Sequence, residues 1–192
     1  MALPPLTKVA AKTAAEICAR FELGEKAKAL PQAGLSPGAF LERLVNERHF
    51  PDAIRFLAFA LPKREAIWWA ARCARSVGGT ALALEQQAAL QVAERWCLAP
   101  TEELRRSALA ASEKAQLKSP AGCTALAVFF SGGSLAPPDV PVVPPAEDLT
   151  ARTVVGAVLM AAVVSEPEKA EQKYQRFVEQ GVALATGKEQ VK

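Results

Sequence analysis

Histidine is almost missing from this chain. His49 stands alone, and the four cysteines, Cys18, Cys73, Cys97 and Cys123, lie far apart with no C-x-x-C pair among them. Zinc ligands cluster roughly two to four residues apart, often with histidines, so no metal is expected. Each cysteine sits among alanines or large apolar residues and reads as a reduced, small buried hydrophobe. Phosphate-binding glycine loops are missing too: Gly78-Gly79 and Gly132-Gly133 lack the Walker lysine and the dinucleotide fingerprint. Neither a G-x-S-x-G elbow nor an H-E-x-x-H helix occurs, and no cofactor is expected.

Charge of one sign is lacking as well. The net charge is +3, from 23 basic and 20 acidic residues mixed along almost every segment. Nucleic-acid binders concentrate a larger basic excess on one face or tail, so no nucleic-acid partner is expected. The most apolar stretch, Val154 to Val164, falls short of the ~20 residues that span a bilayer. Membrane insertion is therefore not expected. The N-terminal residues Met1 to Lys8 hold no basic region followed by an apolar run, and so no secretory signal. These absences together predict a cytoplasmic protein.

Aromatics make up only 6% of the chain, so its core must be built from something smaller. Alanine is abundant and is the strongest helix former, whereas β-branched residues are rare outside one C-terminal segment. The composition predicts an all-α protein, a compact bundle or irregular array of about eight to nine helices packed through small side chains.

Apolar spacing and punctuation predict where those helices lie. A first helix is expected from about Lys8 to Phe21 with Thr7 as its cap, and a break around Leu30-Pro31-Gln32-Ala33-Gly34. Ser36-Pro37 is a start signal, a capping serine before proline at the first helical position. Phe40, Leu41, Leu44 and Val45 then recur at helical spacing. Pro51 opens a helix with little polar face, which should be central. Further helices are expected over Lys63–Val77, Leu82–Leu98, after Pro100-Thr101-Glu102-Glu103, after Pro120, over Leu149–Ser165 and over Glu168–Ala185. Between Gly132 and Glu147, five prolines forbid a regular helix and favour extended polyproline-like chain. The predicted organisation is a main helical domain over 1–131, a proline-rich strap over 132–147 covering apolar helix faces, a C-terminal helical pair over 148–187 packing back on the domain, and a frayed tail over 188–192.

Catalytic candidates are scarce. His49 sits at a predicted helix end, where a cation favours the helix dipole; a histidine base would also need a nucleophile and an orienting partner. The acidic residues fall on predicted solvent faces, with no isolated carboxylate inside an apolar run. No catalytic residue is assigned.

One segment stands out. At about 100° per residue, Ala66, Trp69, Ala70, Cys73, Ala74 and Val77 form a core stripe, and Trp68 falls opposite, ringed by Arg64, Arg72 and Arg75. Tryptophan and arginine dominate interface hot spots, so Arg64, Trp68, Arg72 and Arg75 are the candidate partner-binding residues. The competing structural reading has Trp68 covered by a neighbouring helix or the strap. The strap also carries Pro138-x-x-Pro141 and Pro141-x-x-Pro144, the spacing that polyproline-reading domains bind. Arg105-Arg106 and Glu168-Lys169 read as ordinary solvated charge.

The run from Phe50-Pro51-Asp52-Ala53-Ile54-Arg55-Phe56-Leu57 to Ala60-Leu61-Pro62-Lys63-Arg64-Glu65-Ala66-Ile67-Trp68-Trp69 resembles an uncharacterised family of small bacterial proteins found among type VI secretion accessory proteins. The similarity is centred on residues 36–96. It implies a non-enzymatic accessory factor, an adaptor or chaperone whose partner is another protein such as a secretion effector or spike component. The alternatives are an immunity protein neutralising a toxin, which requires tight one-to-one binding, and an enzyme with a carboxylate-based site, which requires paired Asp or Glu side chains in a deep pocket.

Overall fold

The structure is a computed structural model that describes residues 3–30, 33–78 and 82–192. Among the described residues there are ten α-helices and no strand: α1 (Ala14–Cys18), α2 (Glu25–Lys28), α3 (Pro37–Asn46), α4 (Phe50–Ala60), α5 (Lys63–Gly78), α6 (Leu84–Leu98), α7 (Glu102–Lys114), α8 (Pro120–Phe129), α9 (Leu149–Val163) and α10 (Ala170–Ala185). Pro31 and Gln32 of the predicted break, and Gly79 at the predicted end of α5, lie outside the described residues.

Most starts follow from local chemistry. Ser36, Thr101 and Ser119 each accept a hydrogen bond from the backbone N–H three residues on, capping α3, α7 and α8. The N-terminal prediction was wrong: the helix expected from Lys8 starts only at Ala14, with Thr13 as its cap. The chain before it instead lies across the end of α10. Lys8 donates its N–H to the Ala185 carbonyl at 2.9 Å, and the Thr7 hydroxyl donates to the Thr186 carbonyl at 3.0 Å. Long-range bonds to the carbonyls left unpaired at the C-terminal end of α10 outcompete local helix formation in this segment. His49 also differs from expectation. It lies past the end of α3, where its N–H donates to the Leu44 carbonyl, and its own carbonyl receives the Ala53 N–H of α4.

Helix α9 occupies the middle, touching α4, α5, α8 and α10. Its Val154, Ala157, Val158, Ala161 and Ala162 share one buried cluster with Phe40, Phe56, Leu57, Trp69 and Phe177. The residues after the proline strap thus complete the core begun by the residues before it. A second, alanine-rich cluster joins α5 to α8 through Ala71, Ala74, Ala89, Leu90, Ala115, Ala121 and Ala125. Small side chains here let backbones approach closely, as the composition predicts. Helix α5 buries Ile67 and Ala71 in addition to its expected stripe, because α6, α8, α9 and α10 surround it. No single helix among the described residues is long and apolar enough to cross a membrane.

Candidate functional site

The four candidate residues on α5 do not form one patch. Trp68 is half-buried against the main core, and its indole Nε1 is dry with no hydrogen-bond partner. Arg72 pairs with Glu189, and together with Trp68 lines a cavity of about 350 Å³ closed on its other side by Lys188, Glu189, Gln190 and Lys192. Trp68 thus faces the C-terminal segment across this cavity. That segment has further attachments: Glu189 donates its N–H to the Ala183 carbonyl at 3.0 Å, and Val191 packs on the core. Arg64 and Arg75 turn the other way, toward α6. Arg64 donates to the Cys97 carbonyl, and Arg75 holds Glu94 through both carboxylate oxygens. The structure brings together Trp68 and Arg72; it separates Arg64 and Arg75 from them.

The proline strap departs from its predicted role. Its middle is turned to solvent rather than laid on helix faces: Val140, Val142 and Val143 are 47%, 73% and 50% exposed, while Leu135 and Ala136 are half-buried. The reason lies in its own hydrogen bonds. Leu135 N–H donates to the Val143 carbonyl at 2.8 Å, and the Ser134 hydroxyl oxygen accepts from Ala136 N–H and Val143 N–H. The segment closes on itself at the base, and its prolines have no N–H with which to join a helix. The tip, carrying Pro138, Val140, Pro141 and Val142, stands in solvent.

What holds that base is an arginine that sequence reasoning placed in solvent. Arg105 is 3% exposed. Its guanidinium donates to the Phe129 carbonyl at 2.7 Å, the Ser134 carbonyl at 3.0 Å and both Glu102 oxygens at 2.6 Å, and lies 5.0 Å from the Phe129 ring centroid. Arg106 adds a 2.6 Å bond to the Ala136 carbonyl. Hydrogen bonding to Arg105, with help from Arg106, holds the Glu102 carboxyl down to about 2. Gly133 enters the loop at φ +64°, and a Cβ there would come within 2.8 Å of the Arg105 guanidinium, so glycine permits both the turn and the clamp. Glu102 three residues before Arg105 was the one sequence hint; the carbonyls that bury the arginine come from distant chain.

Other chemistry is sparse. Among the described residues, four cavities are each lined by a single acidic side chain, Glu147, Glu166, Glu42 and Glu189, and a further one by none. Among the described residues no three His, Cys, Asp or Glu side chains converge in a way that could hold a metal ion. All four cysteines are free thiols. Burial pushes the Cys18 thiol up to about 11 and the Cys97 thiol up to about 12, and raises Cys73 and Cys123 as well. Thiolate chemistry is suppressed at neutral pH.

No curated protein and no solved structure matches the chain. One protein-family model matches residues 40–185, so the likeness extends through α9 and α10, well past the 36–96 region on which the sequence resemblance is centred.

Proposed function

We propose that this chain, which belongs to the family of that model, a family of unknown function (DUF6931), is a non-enzymatic protein-binding accessory factor, an adaptor or chaperone. The observation that carries this reading is the proline loop. A buried arginine with four acceptors fixes its base, while three valines at and beside its tip stay in water. Apolar side chains held outward on an anchored loop lose less in ordering when a partner covers them than those on a free segment, and the proline spacing suits an aromatic-lined groove. The type VI secretion setting, with an effector or spike component as the partner, is supported by the resemblance of the Phe50–Trp69 segment alone. Localisation in the cytoplasm belongs to the same proposal.

Affinity capture from the native cell tests it. Val140→Asp combined with Val142→Asp should abolish recovery of the specific partner while helical content and melting temperature stay unchanged. Trp68→Ala with Arg72→Ala tests the α5 face by partner recovery alone, because truncating a half-buried tryptophan also lowers stability. Undiminished recovery with both double variants would exclude the two surfaces, and turnover of a small molecule by the purified chain would overturn the non-enzymatic reading.

A further inference from the structure

At the elbow between α9 and α10 two cavities adjoin, sharing Val77 and Ser165 in their walls. One, about 210 Å³, is apolar, walled by Ala74, Leu82, Pro120, Ala121 and Val164. The other, about 220 Å³, is lined by Lys169, Lys173, Arg176 and a single carboxylate, Glu166. We propose that this bipartite groove binds an acidic, leucine-like peptide segment of a partner protein, its aliphatic side chain in the apolar cavity and its carboxylate against Lys173 and Arg176.

Charge complementarity carries the assignment. Glu166 is taken by Lys169. Lys173 is 8% exposed, yet its ammonium donates only to neutral acceptors, the Ser165 carbonyl and hydroxyl and the Glu166 carbonyl. Arg176 makes its contact with the Phe177 ring, centred 5.7 Å away. Glu166 also lies in the field of Lys173, and Glu168 in that of Lys169, so three cations against two carboxylates leave an excess of positive charge that a further carboxylate offsets. The neighbouring wall supplies the second half of the specificity. Val164 is 62% exposed at its rim, and covering it removes apolar surface from water. A cavity of this size takes one or two aliphatic side chains and not a full acyl chain, which favours a peptide over a lipid. Lys173 and Arg176 stand three residues apart on one face of α10, and Lys169 precedes its first turn, four residues before Lys173.

This inference rests on the reading of the chain as a protein binder, but uses a surface separate from the proline loop. The test is fluorescence anisotropy with a short fluorescein-labelled peptide in which glutamates alternate with leucines. Comparator peptides replace the glutamates with glutamines or the leucines with serines. The unaltered chain should bind the first peptide on the order of tenfold or more tightly than either comparator, and added salt should weaken it. Arg176→Glu and Val164→Asp, both at exposed positions, should each weaken it by a similar factor with unchanged circular dichroism. Equal binding of the glutamine peptide, no binding at all, or indifference to both variants would overturn the groove. Arg176-dependent capture on anionic vesicles in preference to the peptide would also overturn it, in favour of a lipid surface. Failure here with intact loop-dependent partner capture removes this inference and leaves the proposed function standing.

Discussion

The indole of Trp69 stands where a side chain at Gly181 would have to go: a Cβ on that glycine would lie 3.1 Å from Trp69 Cε2 and 2.9 Å from Leu57 Cδ1. Helices α5 and α10 meet at this contact, and it is locked nearby. Trp69 Nε1–H donates to the Phe177 carbonyl at 2.8 Å, one turn before Gly181 on α10.

Gly181→Ala should therefore destabilise the protein although it improves helix propensity. Alanine gains about 1 kcal/mol in a helix interior, while overpacking costs about 1–3 kcal/mol. The Leu57 methyl can shift, but the indole is pinned at its nitrogen. A net loss of about 1 kcal/mol is expected by urea denaturation; a more stable variant would show that the helices separate freely.

Glu102 gives an acid-range prediction. Its carboxyl is held down to about 2 against an ordinary 4.5, so its contribution is present above the ordinary value and disappears as pH falls through about 2. The carboxylate is more than half exposed, so the effect is modest. Glu102→Gln should lower the melting temperature at neutral pH. The gap from the wild type should begin to narrow below about pH 4.5 and close near pH 2. A gap that is independent of pH would assign the loss to shape rather than charge.

The thiols should separate by burial. Cys18, Cys73 and Cys97 are buried and Cys123 is only partly so. Against a thiol reagent at mildly alkaline pH, Cys123 should react first in the folded protein, and the other three only on unfolding. Rapid native labelling of Cys73 would contradict its enclosed position.

Trp68 tests the meaning of its dry, unpaired indole nitrogen. A buried donor without a partner costs about 1–3 kcal/mol, so Trp68→Phe should leave stability within about 1 kcal/mol of the wild type, the removed penalty offsetting the lost area. Trp68→Ala should cost about 2 kcal/mol, less than the 3–5 kcal/mol of a fully buried aromatic. A large loss with phenylalanine would reveal a hydrogen bond formed in solution, readable as a protected indole proton by NMR.

Much of the helical order was determined by the sequence itself. Ser36-Pro37, Thr101 and Ser119 are caps that act within a few residues, and the spacing of Phe40, Leu41 and Leu44 marks a buried face through the 3.6-residue period alone. The all-α architecture follows from alanine content and those local signals. Tertiary structure decided what depended on distant partners. Residues before Ala14 are drawn off a helix by carbonyls at the end of α10. Arg105 is buried by carbonyls at Phe129 and Ser134, which no local pattern couples to it. The arginines around Trp68 diverge because Glu94 and the Cys97 carbonyl lie on one side of α5 and Glu189 on the other. A long side chain goes where its acceptor is, and only the folded chain determines where that acceptor lies.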